Sequence, residues 1–234
     1  MYPSDTTAAT LLACRHGQSL GNVVRADAEA SGREDLGIAL ADDDLPLTEL
    51  GHEQAAWLGR LILALPAAHR PTRILCSPFR RALETAEGII RHAYEGSRIA
   101  FTVDARLKPK AFGVIGHLTR KGVAVRHPEL AAQRERVGRF HFRPPGGESR
   151  CDVVLRVQRA LEDIRLRHAG ERVLLVTHQI VINAIDHLLG TPDGALANDD
   201  DGWVPNARLY AFALDRAAAE AVPAHSVVET AEAA

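Results

Sequence analysis

Hydrophobic positions along the chain follow two rhythms. Unbroken apolar runs at Leu11-Leu12-Ala13-Cys14, Ile74-Leu75-Cys76 and Val173-Leu174-Leu175-Val176 are what strands buried on both faces require. Ile99 to Val103 reads as another short strand, and Arg208 to Leu214 alternates like a late edge strand. Elsewhere apolar residues recur every three or four positions. Ala55, Leu58, Leu61, Ile62 and Leu65 mark one helix, with Thr48 as its N-cap and Pro66 as its stop. Ser77 and Pro78 predict the N-cap and first residue of a second helix, with Arg81 in its first turn. Val153, Val154, Val157, Leu161 and Ile164 predict a helix over about 150–168, following the rigid turn 143–149. Ile180 to Leu189 gives one more, closed by Gly190.

Strand, loop and helix thus alternate. That order predicts an α/β fold, a three-layer α/β/α sandwich with a mostly parallel central sheet and a small helical cap insertion. Two segments carry neither rhythm. Val23 to Asp44 reads as a long surface loop whose acidic triplet Asp42-Asp43-Asp44 is solvated. The segment 105–145 reads as an insertion, helical in part over 117–142. With 23–46 it forms the expected cap of a single domain spanning 1–216. Residues 1–8 read as a frayed start, 198–202 as a loop, and 217–234 as an alanine-rich flexible tail.

Composition narrows the function. A net charge of −2 over 234 residues leaves no basic field for nucleic acid, so an anion site has to be built locally. Cys14, Cys76 and Cys151 are odd in number and lack metal-like spacing, which predicts reduced thiols. No apolar run reaches membrane-spanning length and no signal-peptide pattern opens the chain, so a cytoplasmic protein without a membrane partner is expected.

The chemistry gathers where the apolar runs end. The first ends in Arg15-His16-Gly17, the second leads to Arg81 and the last ends in His178. In a doubly wound sheet those ends share one edge, where ligands bind. Arginine offers a planar fork of donors that suits a phosphate or carboxylate, and a neutral histidine can act as a nucleophile.

These residues and their neighbours resemble the histidine phosphatase superfamily, the phosphoglycerate mutase-like proteins. The matching pieces are Arg15-His16-Gly17-Gln18-Ser19 with Asn22, Leu47-Thr48 with Gly51, and Ser77-Pro78 with Arg81-Ala82 and Thr85. Further on come Pro145-Gly146-Gly147-Glu148-Ser149 with Asp152 and Arg156, and then Thr177-His178. They stand in the family's order from residue 11 to about 190. The Gly-Gly-Glu-Ser block looks like the phosphatase and bisphosphatase branches, and Gly21 stands where the mutase branch often has tryptophan. The resemblance implies a phosphomonoester hydrolase in which His16 becomes phosphohistidine and Arg15, Arg81 and His178 clamp the phosphoryl oxygens. Gln18, Asn22, Glu148 and Gln179 would contact substrate, Glu148 by orienting either an arginine or the substrate itself. No metal or other cofactor is implied; the ligand is a small phosphorylated substrate or inorganic phosphate.

The family's usual proton donor is a glutamate in a Leu-x-Glu-x-x-x-Gly loop. Here the loop reads Leu107-Lys108-Pro109-Lys110-Ala111-Phe112-Gly113, which puts Pro109 at the acid position. Another branch has an aspartate directly after the second histidine, where this chain has Gln179. General acid catalysis is worth roughly 10²–10⁴-fold. Turnover of alkyl phosphates is therefore expected to be weak unless Glu148, Asp104 or His117 fills in. Alternatives are a phosphohistidine or other phosphoramidate phosphatase, a phosphoglycerate mutase-like phosphotransferase, and a non-catalytic phospholigand-binding protein.

Overall fold

The computed structural model describes residues 10–190 and 204–214. The frayed start, the 198–202 loop and the tail expected from the sequence lie outside these residues. Five strands are described: β1 (Thr10–Arg15), β2 (Arg73–Cys76), β3 (Ala100–Val103), β4 (Val173–Thr177) and β5 (Leu209–Ala213). They form one sheet in the order β3-β2-β4-β1-β5. The pairs β2–β3, β2–β4 and β1–β4 are parallel; β5 is the antiparallel edge strand beside β1.

The unbroken apolar runs have the expected cause. On β1, Leu11 and Ala13 face one side of the sheet and Leu12 and Cys14 the other. On β4, Val173 and Leu175 alternate in the same way with Leu174 and Val176. Helices α6 (Arg150–Arg167) and α7 (Gln179–Leu189) cover the first face through Val157, Leu161, Ile164, Ile182 and Ile185. Helices α2 (Glu49–Ala64) and α3 (Arg80–Ala93) cover the second through Leu58, Ile62, Ala86 and Ile89. Central strands must therefore be apolar at every position, and the fold is the three-layer α/β sandwich expected. Three further helices are described: α1 (Leu20–Ala30), α4 (Arg120–Arg126) and α5 (Pro128–His141), the last broken at Gly138, where φ is 76°.

Two local expectations are corrected. Residues 23–44 are not one long loop, since α1 fills their first part. Its only buried residue is Ala28, so an apolar stripe is missing, and the helix is specified by its start. Ser19 accepts from the Asn22 N–H while the Asn22 side chain accepts from the Ser19 N–H, a reciprocal cap. The second correction is at α3, whose N-cap is Phe79 and whose first residue is Arg80. The Ser77 hydroxyl accepts from the Phe79 N–H at 3.3 Å but also bonds a histidine ring, which holds it in the site instead of on the helix.

Candidate active site

The strand register builds the site. Arg15 lies opposite Thr177, and Cys76 lies opposite Val176. Strands β1, β4 and β2 therefore end almost level, and the next residue of each, His16, His178 and Ser77, is delivered to the same carboxyl edge. The His16 N–H still donates to Thr177 O at 2.9 Å and the Ser77 N–H to Val176 O at 3.0 Å. The two imidazoles meet edge to face with centroids 5.0 Å apart. Arg81, in the first turn of α3, lies 4.9 Å from the Phe79 ring, and that ring packs edgewise on His178. Arg15, His16, Arg81 and His178 are all buried.

The loop after β1 is held by contacts that tolerate no side chain. A Cβ on Gly17 would meet Gly51 O at 2.4 Å, and one on Gly51 would meet Gln18 O at 2.0 Å. The loop and the first turn of α2 are thus pressed backbone to backbone. The Gly17 N–H donates to Thr85 Oγ1, which in turn donates to Arg81 O. This chain ties His16, Arg81 and the motif residues Gly51 and Thr85 into one unit.

His16 Nδ1 lies 2.7 Å from Gly17 O. A carbonyl only accepts, so Nδ1 carries the proton and Nε2 keeps its lone pair. His178 Nε2 lies 2.8 Å from Ser77 Oγ, and its Nδ1 is buried without a hydrogen-bond partner. The Ser77 hydroxyl, with one hydrogen and two lone pairs, serves either tautomer of the His178 ring at Nε2. In either tautomer Nδ1 is a buried polar atom with no partner inside the protein, a costly arrangement unless a ligand supplies one.

The electrostatics agree. Burial, then the charges of Arg15 and Arg81, hold His16 well below its ordinary value, against the Gly17 bond that raises it. Burial, His16 and the same arginines do likewise to His178. Burial and Arg81 pull Arg15 down to about 10. Two neutral imidazoles and two cations packed together are poised for a dianion. Cys14 and Cys76 are not competing nucleophiles. Burial pushes the Cys14 thiol up to about 12 and that of Cys76 higher still, so both stay protonated.

The depressed histidines fix a sign. Above the ordinary value of 6.5 both are neutral whether folded or not; below it the unfolded chain takes up protons that the native site refuses. Their contribution is therefore present above about pH 6.5 and is lost as pH falls through the depressed native values. Thermal melts between about pH 7.5 and 5 should show stability falling on the acid side, by up to roughly 1.4 kcal/mol per histidine per pH unit. Inorganic phosphate should raise the melting temperature and flatten that slope, because the dianion stabilises protonated imidazoles. A flat phosphate-free profile over this range contradicts the assignment.

The other predicted residues each make contacts within the protein. Gln18 Oε1 accepts from Thr48 Oγ1 at 2.9 Å, and the Gln18 N–H donates to Gln54, so this side chain braces α2. Asn22 uses its Oδ1 on the Ser19 cap and on Asn206, leaving its amide N–H₂ beside the loop. Gln179 opens α7 directly after His178. Glu148 is bound by Arg156 at 2.9 Å and by the Ala111 N–H. Burial alone would raise its carboxyl, but those bonds overcome it and hold Glu148 below its ordinary range. Arg156 also donates to Pro109 O and Arg106 O, so the pair ties the 106–111 loop to α6. Asp104 is likewise held below its ordinary range by Arg106 against the effect of burial. His117 is exposed. Among the described residues no cluster of three or more histidine, cysteine or carboxylate side chains is placed to hold a metal ion. No described helix is long and apolar enough to cross a membrane.

Four contributors were not legible as site residues. Arg15 donates to Val204 O at 2.5 Å, and Asn206 donates to His16 O at 2.9 Å. Ser77 was read as a helix cap. Asp42, read as solvated, accepts from Arg81 through both its backbone and its side chain. The signal available for Ser77 and for Asn206 was position alone, at the end of one strand and just before another.

An α/β sheet with paired histidines and buried arginines at its carboxyl edge defines a class of anion-handling proteins. Comparison with known proteins makes it specific. The model of the histidine phosphatase superfamily (branch 1) matches residues 11–222, and the chain belongs to that superfamily. Its members named below are phosphatases and mutases, and the chain is an enzyme of that kind. A 2,3-bisphosphoglycerate-dependent phosphoglycerate mutase from Gloeobacter violaceus is 31% identical over 186 residues, covering 77% of each chain. The structure of a mycobacterial glucosyl-3-phosphoglycerate phosphatase, solved with VO3, superposes with a TM-score of 0.59 at 26% identity, covering 86% of this chain and 90% of the other. An alpha-ribazole phosphatase from Shigella flexneri shares the fold, with a TM-score of 0.65 at 22% identity over 87% and 94% of the two chains.

Proposed function

We propose that the protein is a phosphomonoester hydrolase acting through a phosphohistidine on His16. The observation that carries this reading is the His16 geometry: Nδ1 bound to Gly17 O at 2.7 Å, and Nε2 left as a nucleophile in a neutral, buried ring. Nε2 attacks phosphorus and the ester P–O bond breaks, its electron pair leaving with oxygen. The imidazolium formed is stabilised by the same Gly17 carbonyl. Arg15, Arg81 and His178 bind the equatorial oxygens, whose charge they stabilise through the transition state. Water then attacks phosphorus, the P–N bond breaks and phosphate leaves. The guanidinium groups neutralise the dianion, so this chemistry requires no metal ion. The substrate class is a small phosphorylated molecule, as the names of the mutase and the glucosyl-3-phosphoglycerate phosphatase indicate for those relatives. The free thiols fit a reducing, cytoplasmic setting.

A second reading keeps the mechanism and restricts the substrate to good leaving groups, phosphoramidates included. It is favoured by Pro109, which carries no proton, and by Glu148 and Asp104, which are locked as anions. Hydrolysis of an aryl phosphate, an alkyl phosphate and a phosphoramidate by the purified protein separates the two. Comparable rates on aryl and alkyl esters support the first reading. A steep fall from aryl to alkyl supports the second. Binding without turnover of any of the three contradicts both.

A further inference from the structure

Ser77 is fully buried at the end of β2, and its hydroxyl serves the site more than the helix that follows. Oγ lies 2.8 Å from His178 Nε2, against 3.3 Å for the Phe79 N–H that it accepts. The contact is fixed by the sheet. Cys76 lies opposite Val176, and the Ser77 N–H donates to Val176 O at 3.0 Å, which holds the serine beside the end of β4. Two residues on, the Phe79 ring meets His178 at an interplanar angle of 77° with centroids 5.4 Å apart. The imidazole is thus gripped at one nitrogen by Ser77 and packed by Phe79.

The chemistry of a hydroxyl gives this grip a consequence. With Nε2 held, Nδ1 is the only nitrogen that His178 has left for a ligand, and it has no partner inside the protein. Phosphoryl oxygens accept, so a ring that binds them must carry hydrogen on Nδ1. Burial, His16, Arg81, Arg15 and Arg156 all disfavour a second hydrogen on the same ring. A neutral ring with Nδ1–H has a bare lone pair at Nε2, and that lone pair needs a donor. A carbonyl or carboxylate beside Nε2 would select the opposite tautomer and turn the Nδ1 lone pair on the anion. The Ser77 hydroxyl has a hydrogen to give and still has a lone pair for the Phe79 N–H. His16 shows the reverse arrangement. Its Nδ1 faces the Gly17 carbonyl, an acceptor, which leaves Nε2 bare for attack.

We propose that Ser77 is a positioning residue for phosphoryl transfer: its hydroxyl donates to His178 Nε2 when a phosphoryl group is bound and so presents the Nδ1–H of His178 to that group. The inference rests on the phospho-His16 reading, in which His178 binds an equatorial oxygen. Two buried histidines at one sheet edge are then set to opposite tasks by their second nitrogens. An acceptor behind His16 makes it a nucleophile, and a donor behind His178 makes it a hydrogen-bond donor.

The test compares wild type, Ser77→Ala and Ser77→Thr, each labelled with nitrogen-15 in histidine, at about pH 8, above the ordinary histidine range. Nitrogen spectra are recorded with and without saturating inorganic phosphate, beside steady-state hydrolysis of a nitrophenyl phosphate. Phosphate-bound wild type should show His178 with a protonated Nδ1 and a bare, hydrogen-bonded Nε2. Ser77→Ala should show signals averaged between the tautomers and lose roughly 10–10²-fold, mainly in kcat. Ser77→Thr, which keeps the hydroxyl, should restore the wild-type pattern and most of the lost rate. A bound wild-type ring with hydrogen on Nε2, alone or on both nitrogens, overturns the proposal. A slower Ser77→Ala whose His178 signals match wild type overturns it too, since the serine would then act by packing alone. A His16→Ala variant run alongside tells the two failures apart: if it keeps wild-type turnover, the phosphohistidine reading itself has failed.

Discussion

Replacing His16 with alanine is expected to lower turnover on every phosphate ester by at least about 10⁴-fold, because no other group stands ready to attack phosphorus. His178 is the nearest candidate, yet its Nε2 is occupied by Ser77. Both thiols near the edge stay protonated. The variant should fold, since alanine removes a buried ring from a loop whose backbone is held independently by Thr177 O and by donors from Ala207 and Asn206. Both arginine charges that act on His16 remain in the variant. Phosphate affinity, read as a rise in melting temperature, should therefore persist while turnover vanishes. That split separates loss of the nucleophile from loss of the pocket. Retained turnover contradicts the mechanism.

Replacing Arg81 with alanine should be nearly as damaging. A donor aimed at charge that develops in the transition state is worth about 10²–10³-fold, and here a full positive charge goes with it. The loss has a second source. Arg81 is also the ion-pair partner of Asp42, and without it that carboxylate is left uncompensated beside the site. We expect kcat/KM to fall by about 10³-fold and phosphate to lose most of its effect on melting temperature. Arg81→Lys should recover only part, because one ammonium cannot replace the two-pronged fork. A drop of less than about tenfold for the alanine variant would show that the phosphoryl group is held elsewhere.

The sheet and its ligand edge were legible because central strands have to be apolar at every position. That leaves Leu11–Cys14 and Val173–Val176 unmistakable, and whatever follows them lands at the edge. Helices α2 and α6 were legible for the matching reason, each burying one stripe on the sheet, while α3 and α7 were marked by residues at their ends, Ser77-Pro78 and Gly190. Helix α1 was not, since it buries only Ala28 and is held by its cap. Contacts made across long stretches of chain were out of reach for a different reason. Nothing local distinguishes a solvated aspartate from Asp42, whose partner lies 39 residues away on α3. The Ser77 hydroxyl fits a helix cap equally well until β4 brings His178 beside it. Gln18 and Glu148 show the converse. Position points Gln18 to substrate and Glu148 to either substrate or an arginine; in the fold Gln18 Oε1 accepts from Thr48, and Glu148 pairs with Arg156.

The central claim is that phosphorus passes through His16 Nε2. The direct measurement is a rapid quench into alkali during turnover of a labelled aryl phosphate, followed by peptide mapping of any phosphoprotein. The account predicts an alkali-stable, acid-labile phosphoramidate on the peptide containing His16, formed and discharged at rates that match turnover. Steady hydrolysis with no trapped phosphoprotein, or with the label on another residue, would contradict it.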